Sequence, residues 1–326
     1  MSKNCPATDK IQLSVIVLFY YGEQWIHACL ASLENQTLPR TCFELILADN
    51  GGSTPSVEKY AGKPNTKVLR FDKNYGFAGG NNRALQHAAA ELVLLMNQDV
   101  VVHTRCLEEL LTAFHQNPQA GVISANMLMV SQKDEIDPLC VLPEMVGFYR
   151  LSRLGYAVYG TRQTKAALVP IEFASGNALG FRKRILAQVG NYLFDDRLGS
   201  YAEDLDLSIR MKKTRWKMFL CQRAVVCHYR DEAFTGGPLH RLQKLFHVSS
   251  NRLLVYYKNL SLKAFLLKLP GLALGIPFKV SRKDGDPGFK IINFFVALGF
   301  LPLIIGFFVS KQLRLPKINI GKDSPA

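Results

Sequence analysis

Short apolar, β-branched runs that alternate with helical stretches restrict this chain to few folds. From Ile11 to Phe19 the run IQLSVIVLF has the character of a strand covered on both faces. Glu23 to Asn35 follows with Trp25, Cys29 and Leu33 on one helical face. Phe43–Ala48, Val68–Phe71, Leu92–Met96 and Val122–Ser124 repeat the strand signature, with helical stretches between them. This alternation predicts an α/β domain on a mixed, mostly parallel sheet. Ligands of such sheets bind beyond the carboxyl ends of the strands. Asp49, the segment Asn74 to Asn82, and Asp99 each lie just after a predicted strand, and they are expected to converge on one cleft. Met127 to Pro170 is less regular and reads as an insertion over that cleft, before a second sheet segment around Glu172 to Phe181.

The pattern changes near Gly236, which divides the chain into an expected catalytic domain, 1–235, and a basic, apolar helical region, 236–326. Leu262–Val280 and Ile291–Val309 are long apolar segments with basic residues before, between and after them. They read as membrane-associating helices, in-plane or re-entrant on the cytosolic leaflet in preference to spanning. The alternative is a pair of core helices in a soluble domain. A net charge of +14 calls for an anionic partner. Nucleic acid accounts for the charge and not for the apolar tail, so an anionic membrane surface and a phosphorylated substrate are expected instead. The polar N-terminus lacks a signal-peptide core, and the seven cysteines are scattered singly. Both features predict a catalytic part at the cytoplasmic face of the membrane, with its cysteines as buried thiols.

Five constellations carry chemistry. Asp49, in FELILADNGGS, is either a turn cap or a ligand contact. NYGFAGGNNRAL, Asn74 to Leu85, either offers free backbone N–H groups to an anion at a helix start or uses its glycines for packing. Asp99, between Met96 and Val100, is a carboxylate in apolar surroundings and so needs a partner, either a divalent cation or the helix beginning near Thr104. In GSYAEDLDLSIR, Glu203 and Asp204 point about 100° apart on a helix, while Asp206 with Arg210 resembles a surface pair. His228 closes a strand as a structural imidazole or a metal ligand.

In this order and spacing the segments from Leu13 to Tyr229 resemble the inverting glycosyltransferase family 2, whose catalytic domain has the GT-A fold. NYGFAGGNN, MNQDV and SGNALGFRKRILAQVGNYLFDDRLGSYAEDLDLSIR are similar to its rhamnosyltransferase-type branch. The resemblance implies a GT-A nucleotide-sugar-binding domain that transfers a sugar, with rhamnose the first choice, from a nucleotide diphosphate sugar to a lipid-linked or membrane-proximal saccharide in cell-surface polysaccharide synthesis. It implies that Asp49 contacts the nucleotide base, with Phe19, Tyr20, Asn74, Gly76, Gly79, Asn82 and Gly176 also at the donor. Asp99, with His228, would hold Mg2+ or Mn2+ on the diphosphate. Asp204 would be the general base beside Glu203, already ionised at neutral pH on an unperturbed pKa of ~3.9. The motif departs from the family pattern where Asn97 replaces the first aspartate. A sugar nucleotidyltransferase and a membrane-anchored binding module without turnover are the alternatives.

Overall fold

Strand β1 (Leu13–Phe19) is buried at every position, and its two faces feed two different cores. The structure, a computed structural model, describes residues 10–52, 54–131, 145–152, 157–230 and 238–269, together with 302, 306 and 309. Leu13, Val15, Val17 and Phe19 join a cluster with Ile26, Leu30 and Leu33 of α1 (Glu23–Glu34) and Leu107, Leu110 and Phe114 of α3 (Cys106–Gln116). Ile16 and Leu18 join the opposite cluster with Ala78 and Ala84 of α2 (Gly76–Leu85) and Leu207 and Met211 of α4 (Glu203–Met211). Alternation along one extended chain thus places a helical layer on each face of the sheet.

The other strands are β2 (Phe43–Asp49), β3 (Thr66–Arg70), β4 (Leu92–Asn97), β5 (Val100–Val102), β6 (Ala120–Ser131), β7 (Met145–Leu151), β8 (Ala157–Gln163), β9 (Leu168–Pro170), β10 (Ala178–Arg182) and β11 (Lys217–Arg230). Among the described residues they form a nine-stranded sheet of order β3-β2-β1-β4-β10-β6-β11-β5, with β9 on β11, and a separate β7–β8 ribbon. β3, β2, β1 and β4 run parallel, as do β6 and β11. β10 is antiparallel to both neighbours, and β5 and β9 are antiparallel to β11. The sheet is mixed as expected, but its parallel character is confined mainly to the first half, because the later strands return through the sheet.

The described parts of Met127–Pro170 are more ordered than the sequence suggests. β6 runs on to Ser131, and β7 and β8 form an antiparallel hairpin. Buried Asn126 holds this hairpin by donating to the carbonyls of Met145 and Gln222 and accepting from the Gly147 amide. Tyr159 donates its hydroxyl to the Met127 carbonyl at 3.0 Å. Pro138 and Pro143 lie outside the described residues. Cys29, Cys106, Cys221 and Cys227 are free and buried, whereas Cys42 is disulfide-bonded. Reading every cysteine as a thiol is therefore corrected, since sequence spacing does not report which side chains meet in space.

Contacts divide the chain into two units, 1–236 and 237–326. In the second, α5 (Pro238–Asn259) buries Leu253, Leu254, Val255 and Tyr256. A further helix at 262–269 exposes Leu262, Leu266 and Leu267 while Phe265 packs edge-on against Tyr257. Among the described residues no helix is long and apolar enough to cross a membrane. Most of Leu262–Val280 and Ile291–Val309 lies outside the described residues.

Asp206 and Arg210 are not a surface pair: both are buried, with Arg210 Nε 2.8 Å from Asp206 Oδ2. Arg210 also donates to the carbonyls of Val189, Tyr192 and Leu193, so the pair ties the loop before α4 to that helix. Asp206→Ala leaves a buried guanidinium without its counter-charge and is expected to destabilise the protein by about 3–5 kcal/mol in urea unfolding. A loss below about 1 kcal/mol would mean that the carbonyls alone satisfy Arg210.

Candidate active site

The cleft lies where strand order reverses, with β2 on one side of β1 and β4 on the other. The registers set Phe19 opposite Asp49 and Leu18 opposite Asn97, so the ends of all three strands open at one edge. Antiparallel β10 begins at that edge, where Asn97 N–H donates to the Asn177 carbonyl at 3.1 Å. Phe19 itself is 1% exposed. Its side chain belongs to the core. Tyr20, 42% exposed, stands edge-on to Tyr21 at 4.5 Å.

Asp49 caps its own turn: Oδ1 accepts from the Gly52 amide at 2.7 Å and Oδ2 from the Thr54 amide at 3.2 Å. Each oxygen retains a lone pair, and the residue lines a cavity of about 390 Å³ with Gly51, Thr54, Arg70, Phe71 and Asp72. That volume is in the range of small-molecule sites. Arg70, Phe71 and Asp72 were not singled out as site residues in the sequence, although Arg70 and Phe71 end a predicted strand and Asp72 follows it.

The glycine-rich loop does not present free amides. Gly76 N–H donates to Asn74 Oδ1 at 2.8 Å, Phe77 N–H to Ser200 Oγ at 3.1 Å, and Ala78 N–H to the Gly199 carbonyl at 2.8 Å. These groups of the first turn of α2 are satisfied by protein, so the anion reading of this loop is corrected to a packing role. Gly76, at φ +70°, leaves no space for a Cβ, which would stand 2.7 Å from the Gly199 carbonyl. Gly79 lies beside Arg83 and Tyr75. Asn74 also accepts from Asn50, and Asn82 exchanges hydrogen bonds with the Phe194 backbone and donates to Asp196. The Asn74 side-chain oxygen and the Asn82 side-chain amide therefore join loops.

Asp99 and His228 meet as the resemblance implied. The β5–β11 ladder pairs His228 with Val100, which sets its Nε2 3.3 Å from Asp99 Oδ2. Asp99 Oδ1 and His228 Nδ1 are buried without a protein partner. Among the described residues no group of three or more His, Cys, Asp or Glu side chains is arranged for a metal. A carboxylate with an orphaned oxygen beside an imidazole is a donor set that fits a hard cation whose remaining ligands come from diphosphate and water. Gln98, to which the sequence assigned no role, accepts from the Tyr20 amide through Oε1 at 2.9 Å.

Asp204 occupies the first turn of α4. Its Oδ2 accepts from the Gly176 amide at 3.3 Å and its Oδ1 from the Leu205 amide at 2.8 Å. Burial raises its pKa to about 6 from an ordinary 3.8, against the lowering effect of these hydrogen bonds. Burial, and then the charge of Asp204, push Glu203 well above the usual carboxylate range, and Glu203 Oε2 has no partner. The expectation of an unperturbed Asp204 is thereby corrected.

Residues 14–190 match the model of the family described as glycosyl transferase family 2, more than half of the chain. The chain belongs to that family. Its relatives include the N-acetylglucosaminyl-diphospho-decaprenol L-rhamnosyltransferase of Mycobacterium tuberculosis, 25% identical over 254 residues, which cover 71% of this chain and 80% of the relative. The Staphylococcus aureus poly(ribitol-phosphate) beta-N-acetylglucosaminyltransferase TarS is 35% identical over 103 residues, or 30% of this chain and 18% of that protein. Among solved structures, GalNAc-T7 with UDP, GalNAc and Mn2+ superposes with a TM-score of 0.60 at 13% identity, covering 91% of this chain and 57% of that one. The mannosyltransferase PcManGT of Pyrobaculum calidifontis, in complex with GDP-Man and Mn2+, gives 0.55 at 17% identity, covering 92% and 84%. At these identities the likeness establishes the GT-A-like α/β fold.

For this family 2 glycosyltransferase the nucleotidyltransferase and binding-module alternatives fall away. The raised Asp204 pKa means that the folded enzyme holds a proton which the unfolded chain releases between pH 3.8 and about 6. The resulting contribution to stability is complete below that window and lost as pH rises through about 6. Asp204→Asn is therefore expected to be more stable than wild type at about pH 7 and to lose that advantage by about pH 4. Urea unfolding at both values checks this; an equal difference at each would mean the carboxyl is not perturbed.

Proposed function

We propose that this glycosyltransferase moves a sugar, with rhamnose the first choice, from a nucleotide diphosphate donor to a lipid-linked saccharide at the cytoplasmic face of a membrane, with inversion at the anomeric carbon. The observation that carries the substrate reading is the match to the mycobacterial L-rhamnosyltransferase, which spans 71% of this chain. That relative's name specifies a saccharide on a diphospho-decaprenol lipid. The part played by these molecules in cell-surface polysaccharide synthesis belongs to the same reading.

In this mechanism Asp204 accepts the proton of the acceptor hydroxyl as its oxygen forms a bond to the anomeric carbon and the bond to the nucleoside diphosphate breaks on the opposite face. The Gly176 and Leu205 amides fix the carboxylate, and a pKa of about 6 keeps it ionised at neutral pH yet more basic than an ordinary aspartate. The cavity beside Asp49 and Phe71 suits the nucleotide base, with the exposed Tyr20 ring at its approach. Asp99 and His228 would hold Mg2+ or Mn2+, which when bound neutralises charge on the departing diphosphate. The exposed leucines at 262–269, interleaved with Lys263 and Lys268, suit a helix seated in an anionic lipid interface.

Asp204→Asn is expected to lower transfer by about 100-fold or more while donor affinity stays within about twofold. Transfer within a few-fold of wild type would remove Asp204 from the base role. Asp99→Ala is expected to weaken donor binding and abolish its dependence on added Mg2+ or Mn2+; a wild type fully active in chelator would overturn the metal assignment. For the substrates, the full chain is incubated with anionic vesicles carrying polyprenyl-diphosphate N-acetylglucosamine. It is expected to sediment with the vesicles and to transfer from dTDP-rhamnose. Transfer only from a UDP-sugar would overturn the donor assignment, and protein left in the supernatant would overturn the membrane seat.

A further inference from the structure

The approach to α4 is held in a conformation that its own residues disfavour. Tyr201 and Ala202 have φ of +76° and +70°, two successive side-chain-bearing residues in the left-handed region, directly before Glu203 and Asp204. Such a run persists only where its surroundings impose it. Ala202 begins α4 without a side-chain cap, so the restraint comes from elsewhere. It comes from the first turn of α2, where Phe77 N–H donates to Ser200 Oγ at 3.1 Å and Ala78 N–H donates to the Gly199 carbonyl at 2.8 Å.

Phe77 reaches the same carboxylate by a second route. Its ring lies 3.2 Å from where a Cβ on Gly176 would stand, and the Gly176 amide donates to Asp204 Oδ2 at 3.3 Å. The contacts close a circuit from the Phe77 amide through Ser200 and residues 201–203 to Asp204, then through Gly176 back to the Phe77 ring. We propose that Ser200 is a positioning residue for Asp204, its hydroxyl oxygen anchoring the left-handed step that aims the carboxylate at the acceptor. This rests on the reading of Asp204 as the base. The glycine at position 76 serves the same end, because only without a Cβ does α2 come close enough to engage Gly199 and Ser200.

The test compares Ser200→Ala, Ser200→Thr, Gly176→Ala and Asp204→Asn with wild type in the full chain, following hydrolysis of dTDP-rhamnose, or of UDP-N-acetylglucosamine if that is turned over faster. Ser200→Ala is expected to lower kcat by about tenfold or more, since small misplacements of a reacting group carry large rate losses. Donor KM is expected to stay within about twofold and the thermal midpoint within a few degrees, because the donor cavity is lined by other residues. Ser200→Thr, which keeps the Oγ acceptor, is expected to recover kcat to within about threefold. Gly176→Ala approaches Asp204 from the other side of the circuit and is expected to lower kcat selectively as well. A Ser200→Ala enzyme with wild-type kcat overturns the proposal, as does equal loss in Ser200→Ala and Ser200→Thr, a parallel rise in KM, or a Gly176→Ala enzyme of full kcat. If Asp204→Asn is inactive while Ser200→Ala is unimpaired, the positioning role alone fails. If Asp204→Asn keeps wild-type turnover, the base assignment fails and the positioning role with it.

Discussion

The site depends on the position of β1 between two parallel partners that arrive from opposite directions along the sheet. β2 and β4 both hydrogen-bond to β1 in register, while the helices that precede them, α1 and α2, lie on different faces. The connections leaving the three strands therefore diverge and leave a gap above the edge. Tyr20, Asp49 and Asp99 lie at that edge because each is the last residue of its strand or within two residues of its end. Complete burial of β1 means that a slip of one residue would exchange its two apolar faces. The placement of the polar groups is thus enforced by hydrophobic packing tens of atoms away from them.

A second constraint is the satisfaction of backbone polar groups around the start of α2. Helix starts with unpaired amides are ready anion sites, yet here the segment leading to α4 supplies the acceptors, Ser200 Oγ and the Gly199 carbonyl. The consequence is mechanical continuity between two motifs that lie more than a hundred residues apart in sequence. Asn82 adds to it by bonding the Phe194 backbone. The polar side chains of this motif are structural struts around the cleft, and the cleft's chemistry rests on fewer groups than the motif's length suggests.

Much of the architecture was legible in the chain. The strands over Phe43–Ala48 and Leu92–Met96 and the helix over Glu23–Asn35 follow from local apolar patterning, a property of contiguous residues, and end within one residue of the observed elements. The Asp99–His228 pair was named through resemblance, but its geometry depends on the antiparallel ladder between β5 and β11, which no local pattern encodes. Asp206 and Arg210 have the spacing of a surface pair and were misread because burial depends on the loop 189–193 that folds over them. The burial of the Phe19 ring was not legible for the opposite reason, since proximity in sequence to the cleft does not specify which face of the strand a ring occupies. The β7–β8 ribbon escaped notice because its strands are only half apolar and its anchor, Asn126, lies in a different strand.

The turn after β1 carries a consequence for how such a chain can diverge. A Cβ at Gly22 would stand 2.1 Å from Gln98 Oε1, the atom that accepts from the Tyr20 amide. A side chain at position 22 would displace the glutamine end and strand that amide, and a shorter residue at 98 would leave the glycine's openness without a purpose. Positions 22 and 98 are therefore expected to vary as a pair through evolutionary drift. In a lineage where one changes alone, the loop bearing the two exposed tyrosines would lose its fastening before any residue of the chemistry had been touched.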